Sequence, residues 1–138
     1  MQKLQKINSE TNILTWFEIP VTNTERAKQF YETILDIEMT TEFIAETNEK
    51  LTFFPFDPNI VQATSGRVTG VLTESGNNSP SDKGTTVYIN ASPNIQMVLD
   101  KVPLAGGKVL ISPIKIKAGL IAFIIDSEGN KIGLHAEK

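Results

Sequence analysis

Two ionisable side chains in this sequence have the chemistry of an acid–base pair. Glu18 is a carboxylate inside the apolar segment WFEIPV, and His135 is the only histidine of the chain. A carboxylate next to an imidazole raises the pKa of the imidazole, and such a pair can act as a general base. Three other roles stay open: a buried structural pair, contact with a ligand without chemistry, and, for His135, a solvent-exposed position near the chain end.

Aromatic residues offer a second function, the binding of a planar or apolar molecule. Trp16 is the only tryptophan, and Phe53, Phe54 and Phe56 follow one another in a short segment. Large aromatic side chains line ligand pockets and also fill hydrophobic cores. For the phenylalanines both interpretations stay open.

The composition limits the class of protein. The 138 residues are enough for one domain, and a net charge of −3 argues against binding to nucleic acid. No apolar run is long enough to span a bilayer, and the polar N-terminus lacks the apolar region of a secretory signal. The absence of cysteine excludes disulfides, thiolate catalysis and cysteine-ligated metals. We therefore predict a cytoplasmic protein that does not contact membranes.

The segment that carries Trp16 and Glu18 predicts a strand followed by a helix. Aromatic and β-branched residues favour a strand over residues 16–21. Thr22 stands three residues before Glu25, which is the spacing of a capping box at a helix start. Apolar residues at helical spacing then predict an amphipathic helix to Leu35, with this buried stripe: Ala27, Phe30, Tyr31 and Ile34.

The second half of the chain repeats this plan after a polar loop, GNNSPSDKG, which we interpret as a linker. TTVYIN predicts a strand, and Ser92-Pro93 predicts a helix start. Three further strands follow, at residues 108–111, 120–125 and 131–136. Ser112-Pro113 ends the first of them, and a DSEGN turn joins the last two. Aligning Trp16 with Thr85 gives two βαβββ units, at about residues 13–75 and 84–137, within a single domain of residues 1–138.

Four segments follow one another along the chain: FEIPVTNTERAKQFYE, GTTVYIN, GGKVL and AFIIDSEGNKIGLH. In this order they resemble the vicinal oxygen chelate superfamily, which includes glyoxalases, bleomycin-resistance proteins and extradiol dioxygenases. The resemblance implies an α+β fold in which two βαβββ modules form a curved half-barrel sheet around a central cavity. It also implies a homodimer, because members of the superfamily usually build their cavities with help from a second subunit.

The resemblance also implies four positions for a divalent metal, one on each of four strands. They fall on Trp16, on Gly70 or Val71, on Thr85 and on Gly133. Divalent metals in such sites need carboxylate or imidazole ligands, and none of these residues supplies one. We therefore predict neither a metal nor another cofactor.

Strand alternation then predicts which side chains face the cavity, since residues two apart share a face. If Trp16 takes a ligand-facing position, Glu18 faces the cavity too. The same rule places Gly133 and His135 on the cavity side of the last strand, and Thr85, Val87 and Ile89 on the same wall in the second half. Gly133 has no side chain and leaves room opposite the indole. We expect Glu18 and His135 to approach each other. The predicted site comprises Glu18 and His135 as catalytic candidates, and Trp16, Thr85, Val87, Gly133 and Phe54 as ligand-binding residues.

The function that these expectations favour is metal-independent binding of a small apolar or aromatic molecule by a glyoxalase-related protein. One alternative is a metal-free lyase or isomerase that uses Glu18 and His135 as acid and base. Another is a structural or regulatory dimer whose cavity is filled by its own side chains. Arg67 and Lys83 lie at loop or strand ends, where they could meet an anionic ligand or belong to the solvated surface, and we favour the solvated surface. Fold alone does not choose among these functions.

Overall fold

The computed structural model describes residues 7–138, and each half of the chain contains one βαβββ unit. The elements of the first half are β1 (Phe17–Pro20), α1 (Thr24–Leu35), β2 (Thr40–Ile44), β3 (Glu49–Phe53) and β4 (Gly70–Glu74). Those of the second half are β5 (Tyr88–Asn90), α2 (Ile95–Leu99), β6 (Lys108–Ile116), β7 (Gly119–Ile125) and β8 (Lys131–Ala136). Among these residues no helix is long and apolar enough to cross a membrane.

The two halves form two mixed four-stranded sheets with the same topology. The strand order is β1-β4-β3-β2 in the first sheet and β5-β8-β7-β6 in the second. In each sheet the first pair is parallel and the other pairs are antiparallel. The predicted α+β class and the repeated βαβββ unit are therefore confirmed.

The equivalence between the two halves differs by one residue from the predicted alignment. Val21 donates a 2.9 Å backbone hydrogen bond to Thr73 just past the end of β1, and Ala91 donates one of 2.7 Å to His135 just past the end of β5. Val21 therefore corresponds to Ala91. By the same count Glu18 corresponds to Tyr88, and the equivalent of Trp16 is Thr86 instead of Thr85.

Helix α1 is amphipathic as predicted, but its N-cap residue is not the predicted one. Asn23 is the N-cap, and its side chain accepts a hydrogen bond from the backbone of Arg26 at 3.0 Å. The predicted capping box of Thr22 and Glu25 is wrong, because the Thr22 hydroxyl donates instead to Glu128. The predicted stripe is confirmed, since these residues are all buried: Ala27, Phe30, Tyr31 and Ile34.

In the second half, the start of helix α2 and the end of strand β6 differ from the prediction. Helix α2 begins after Asn94, whose side chain caps the backbone of Gln96 and Met97, so Ser92 is not its cap. Strand β6 continues past Pro113, which the sequence indicated as its end. Register shifts against β7 occur there, and an edge strand tolerates proline at such irregularities.

One hydrophobic core extends through both halves, and the turn between β7 and β8 links them. The buried Tyr31 hydroxyl donates a 2.6 Å hydrogen bond to Asp126. Asn130, also buried, donates from its side chain to the backbone oxygen of Pro20 at 2.7 Å. The turn therefore fixes the end of β1, and with it the wall of the cleft described next.

Candidate functional site

A cleft of about 690 Å³ lies where the two modules meet, and we name it the β1–β5 cleft. Its walls are β1 with the residue before it, the segment that leads into β5, and the start of β8. Of the predicted site residues, it contains Trp16, Glu18, Thr85 and Val87. The volume lies within the range of about 300–1,000 Å³ that is typical of small-molecule sites.

Two partly exposed aromatic rings face this cleft, one from each module. Trp16 is 39% exposed and contacts Phe53 edge to face, with ring centroids 6.2 Å apart. Tyr88 is 49% exposed and packs on Phe123 at 5.7 Å. Each ring is held by a second aromatic side chain while part of its surface stays accessible. Such rings bind planar or apolar molecules by stacking and by burial of apolar area.

Gly133 does not leave the open space that the sequence suggested, because the Tyr88 ring lies over it. A β-carbon at position 133 would lie 2.5 Å from Cδ1 of Tyr88. Gly133 pairs with Tyr88 across the parallel β5–β8 ladder, which places the ring there. Gly133 therefore positions the aromatic wall and does not line the cleft itself.

Phe54 also lies away from the cleft. It is buried against Phe17 and Tyr31, with centroid distances of 5.5 and 5.6 Å, on the side of the sheet that packs on α1. Its neighbour Phe53 contacts Trp16 instead, since adjacent residues of a strand face opposite sides. The prediction of Phe54 as a ligand-binding residue does not agree with this placement.

Thr85 and Val87 do line the β1–β5 cleft, but the face predicted for β5 is wrong. The predicted alternation carried the cavity wall on to Ile89, which lies in the hydrophobic core. Within β5 it is Tyr88 that faces the cleft.

Glu18 and His135 are not brought together. Glu18 is exposed in the β1–β5 cleft, whereas His135 lines another cavity of about 370 Å³, which among residues 7–138 has only Tyr88 in common with the cleft. The Nε2 atom of His135 lies 2.7 Å from the backbone oxygen of Ala118. Among residues 7–138, no hydrogen bond or ion pair joins Glu18 to His135. The structure thus provides no carboxylate–imidazole pair at this site.

One lysine of the cleft, Lys131 at the start of β8, has no counterpart among the residues singled out from the sequence. Lys83, for which solvated surface was favoured over contact with an anionic ligand, also lines the cleft, and its side chain is 86% exposed. Arg67, interpreted in the same way, is exposed and lies outside the cleft. Lys83 and Lys131 line the same cleft because the polar loop GNNSPSDKG docks on the start of β8, and no local sequence pattern predicts this docking.

The residues at the four metal positions do not fit a divalent ion. Val71 is fully buried, and a β-carbon on Gly70 would lie 2.2 Å from the backbone oxygen of Phe17. Trp16 and Gly133 offer no carboxylate or imidazole either, and neither does Thr85 or Thr86, the residue that corresponds to Trp16 in the structure. Within residues 7–138 no group of three or more histidine, aspartate or glutamate side chains could hold a metal.

Comparison with known proteins supports the fold. No family model matches the chain, and no curated protein matches it in sequence. Among solved structures, glyoxalase I from Zea mays is similar with a TM-score of 0.65 and 19% identity, over 90% of this chain and 46% of that one. This chain therefore spans about half the length of the maize enzyme.

Two other solved structures match over most of both chains. The trypanothione-dependent glyoxalase I of Leishmania major has a TM-score of 0.63 and 19% identity, over 91% of this chain and 87% of that one. The fosfomycin resistance protein FosX of Listeria monocytogenes, in complex with Mn(II) and a dihydroxypropylphosphonic acid, has a TM-score of 0.57 and 14% identity, over 91% and 92%.

These similarities confirm the resemblance to the vicinal oxygen chelate superfamily at the level of the fold. The chain shares its paired βαβββ fold with these glyoxalase I and FosX structures. At identities of 14% and 19% the similarities show the fold alone, and a shared fold does not determine the activity.

Proposed function

We propose that this chain binds a small apolar or aromatic molecule in the β1–β5 cleft and needs no metal ion to do so. The observation that carries the proposal is the pair of accessible rings, Trp16 and Tyr88, in one cleft of about 690 Å³. Exposed aromatic side chains on a concave surface favour binding, because a ligand that covers them removes apolar area from water.

Metal independence is supported by the chemistry of the side chains at the four positions. These positions carry the indole of Trp16, either Gly70 or the buried Val71, the hydroxyl of Thr85, and Gly133. None of these groups can replace an imidazole or carboxylate ligand. Within residues 7–138, Glu18 is the one carboxylate among the residues that line the cleft, and a single carboxylate is a poor site for a divalent ion.

The lyase or isomerase alternative receives less support. It required Glu18 and His135 to act on one substrate, and the two side chains line different cavities. General acid–base catalysis needs each group within hydrogen-bond reach of the reacting atoms.

The predicted homodimer remains part of the proposal. Strand β6 is an edge strand, and four of its aliphatic side chains are 37–45% exposed: Leu110, Ile111, Ile114 and Ile116. An exposed apolar edge is a common site of association. Light scattering of the purified protein distinguishes a dimer from a monomer.

The cytoplasmic location and the single-domain boundaries stay predictions from the sequence.

Calorimetry with a panel of small aromatic compounds tests the binding function. Trp16→Ala removes one wall of the cleft and should weaken any ligand found by about tenfold, as the loss of a stacked ring commonly does. Phe43→Ala is the matched control, because Phe43 is an exposed aromatic residue on β2, outside the cleft. Equal losses in the two variants, or no ligand in a broad panel, would refute the proposal.

A further inference from the structure

A smaller hollow lies beside the β1–β5 cleft. It measures about 230 Å³, and we name it the side hollow. Its lining consists of Asp82, Lys83, Gly84, Thr85, Thr86 and Lys131. Four of these residues, the two lysines and the two threonines, also line the cleft, so the two spaces adjoin each other.

One serine fixes the backbone of both lysines. The Ser81 backbone oxygen accepts a hydrogen bond from the Lys131 amide at 3.1 Å, and the Ser81 hydroxyl oxygen accepts one from the Lys83 amide, also at 3.1 Å. The Ser81 amide in turn donates to the side chain of the buried Asn130 at 3.0 Å. The two ammonium groups therefore extend from a shared, hydrogen-bonded support.

The charges in the side hollow do not cancel. Its one carboxylate, Asp82, lies 3.5 Å from Nζ of Lys83, and both side chains are largely exposed, so this pair is weak. Nζ of Lys131 lies 5.3 Å from the centre of the Phe123 ring and has no carboxylate within 4.0 Å among residues 7–138. The side hollow therefore has a net positive charge next to an apolar cleft.

From this arrangement we infer that the ligand is an organic acid, whose anionic head group binds in the side hollow while its apolar body lies against Trp16 and Tyr88. The inference rests on the proposed binding function and specifies the class of ligand. Lys83 and Lys131 supply charge-assisted hydrogen bonds, and Thr85 and Thr86 supply hydroxyl donors. Glu18 lies in the cleft but outside the side hollow, so it disfavours a second acidic group on the ligand body.

A matched pair of probes tests the inference: naphthalene-2-carboxylate and naphthalene-2-carboxamide have the same apolar body and differ in charge. At low salt we expect calorimetry to give an affinity for the acid about tenfold above that for the amide. Lys131→Gln and Lys83→Gln should each reduce this preference, and the double variant should abolish it. Lys108→Gln, an exposed lysine outside both spaces, is the control and should keep the preference.

The outcomes separate this inference from the proposed function. Equal affinity of the wild-type protein for acid and amide overturns the side hollow as an anion site and leaves the binding function standing. A preference for the acid that survives in the Lys83→Gln, Lys131→Gln double variant overturns it as well. If neither probe nor any other aromatic compound binds, the proposed function and the inference fall together. Circular dichroism of each variant confirms that the protein is folded.

Discussion

The Tyr88 ring fills the space over Gly133, so the smallest residue of β8 supports an aromatic wall of the β1–β5 cleft. The ring approaches so closely that a β-carbon on residue 133 would lie 2.5 Å from it. A ring also covers a glycine in the first module, where Gly70 of β4 lies under Phe17 of β1, but there the ring packs against the hydrophobic core.

Gly133→Ala should displace the Tyr88 ring and lower the free energy of unfolding by about 1–3 kcal/mol, as overpacking commonly does. In a Tyr88→Ala background the added methyl group has room, and its cost should disappear. Chemical denaturation of the four proteins in this double-mutant cycle measures the coupling. Equal costs of Gly133→Ala in both backgrounds would show that the ring does not occupy this space.

Glu128 connects the β7–β8 turn to the start of α1. Its carboxylate accepts hydrogen bonds from the backbone of Thr22 and Asn23 and from the Arg26 guanidinium, and its side chain has no exposed area. Burial of the carboxylate opposes ionisation, but the Arg26 and backbone donors outweigh it and lower the pKa of Glu128 to about 2. Because the folded pKa lies below the unfolded one, this stabilisation is present above about pH 4.5 and is lost as the pH falls toward 2.

Glu128→Gln should therefore lower the free energy of unfolding at pH 7 by about 2 kcal/mol, through the loss of charge-assisted hydrogen bonds. The difference from wild type should shrink between pH 5 and pH 3, as measured by urea denaturation. Glu46→Gln, at an exposed turn position, serves as the control and should show no such trend. A difference that is constant over this pH range would contradict the linkage.

Tyr31 joins α1 to the same turn through its hydrogen bond to Asp126, and both groups are buried. Burial, and then the nearby Asp126 carboxylate, raise the pKa of Tyr31 well above 10. Since the folded pKa is raised, this contribution to stability is present below pH 10 and is lost as the pH rises above it.

Tyr31→Phe should cost about 1–3 kcal/mol at pH 7, because Asp126 then loses a buried donor. In the wild-type protein the absorbance of the Tyr31 phenolate should appear only when the protein unfolds in alkali. A native Tyr31 that titrates near its ordinary pKa, revealed by comparing the alkaline absorbance of the two proteins, would contradict the buried hydrogen bond.

The sequence allowed the fold to be predicted wherever periodicity and burial agree. The α1 stripe is buried as expected, and Ile19 and Val21 face the core while Glu18 faces the cleft. The face of β5 was predicted wrongly, because TTVYIN alternates in either phase and tyrosine suits both a core and a surface. Because the predicted alignment of the two halves was wrong by one residue, Ile89 was assigned to the cavity wall, whereas Tyr88 faces the cleft.

The cleft is formed by long-range contacts that no local sequence pattern predicts. Ser81, Asn130 and Lys131 meet only because the loop between the modules docks on β8. The same holds for Glu128, whose partners lie at the start of α1 on the other module. Local propensity does not encode such long-range hydrogen bonds. Lys131 could therefore not be assigned to the side hollow from the sequence, and Lys83 could be named only as one of two possible contacts for an anionic ligand.

The emission of Trp16 gives the most direct test of metal-independent binding, because Trp16 is the only tryptophan and lines the cleft. The protein is dialysed against EDTA and titrated with small aromatic compounds, and the titration is repeated with Mn²⁺ and Zn²⁺ added. We predict a saturable change in emission for at least one compound, with the same affinity in the presence and absence of metal. Emission that stays unchanged across the panel, or that responds only after a divalent metal is added, would contradict the account.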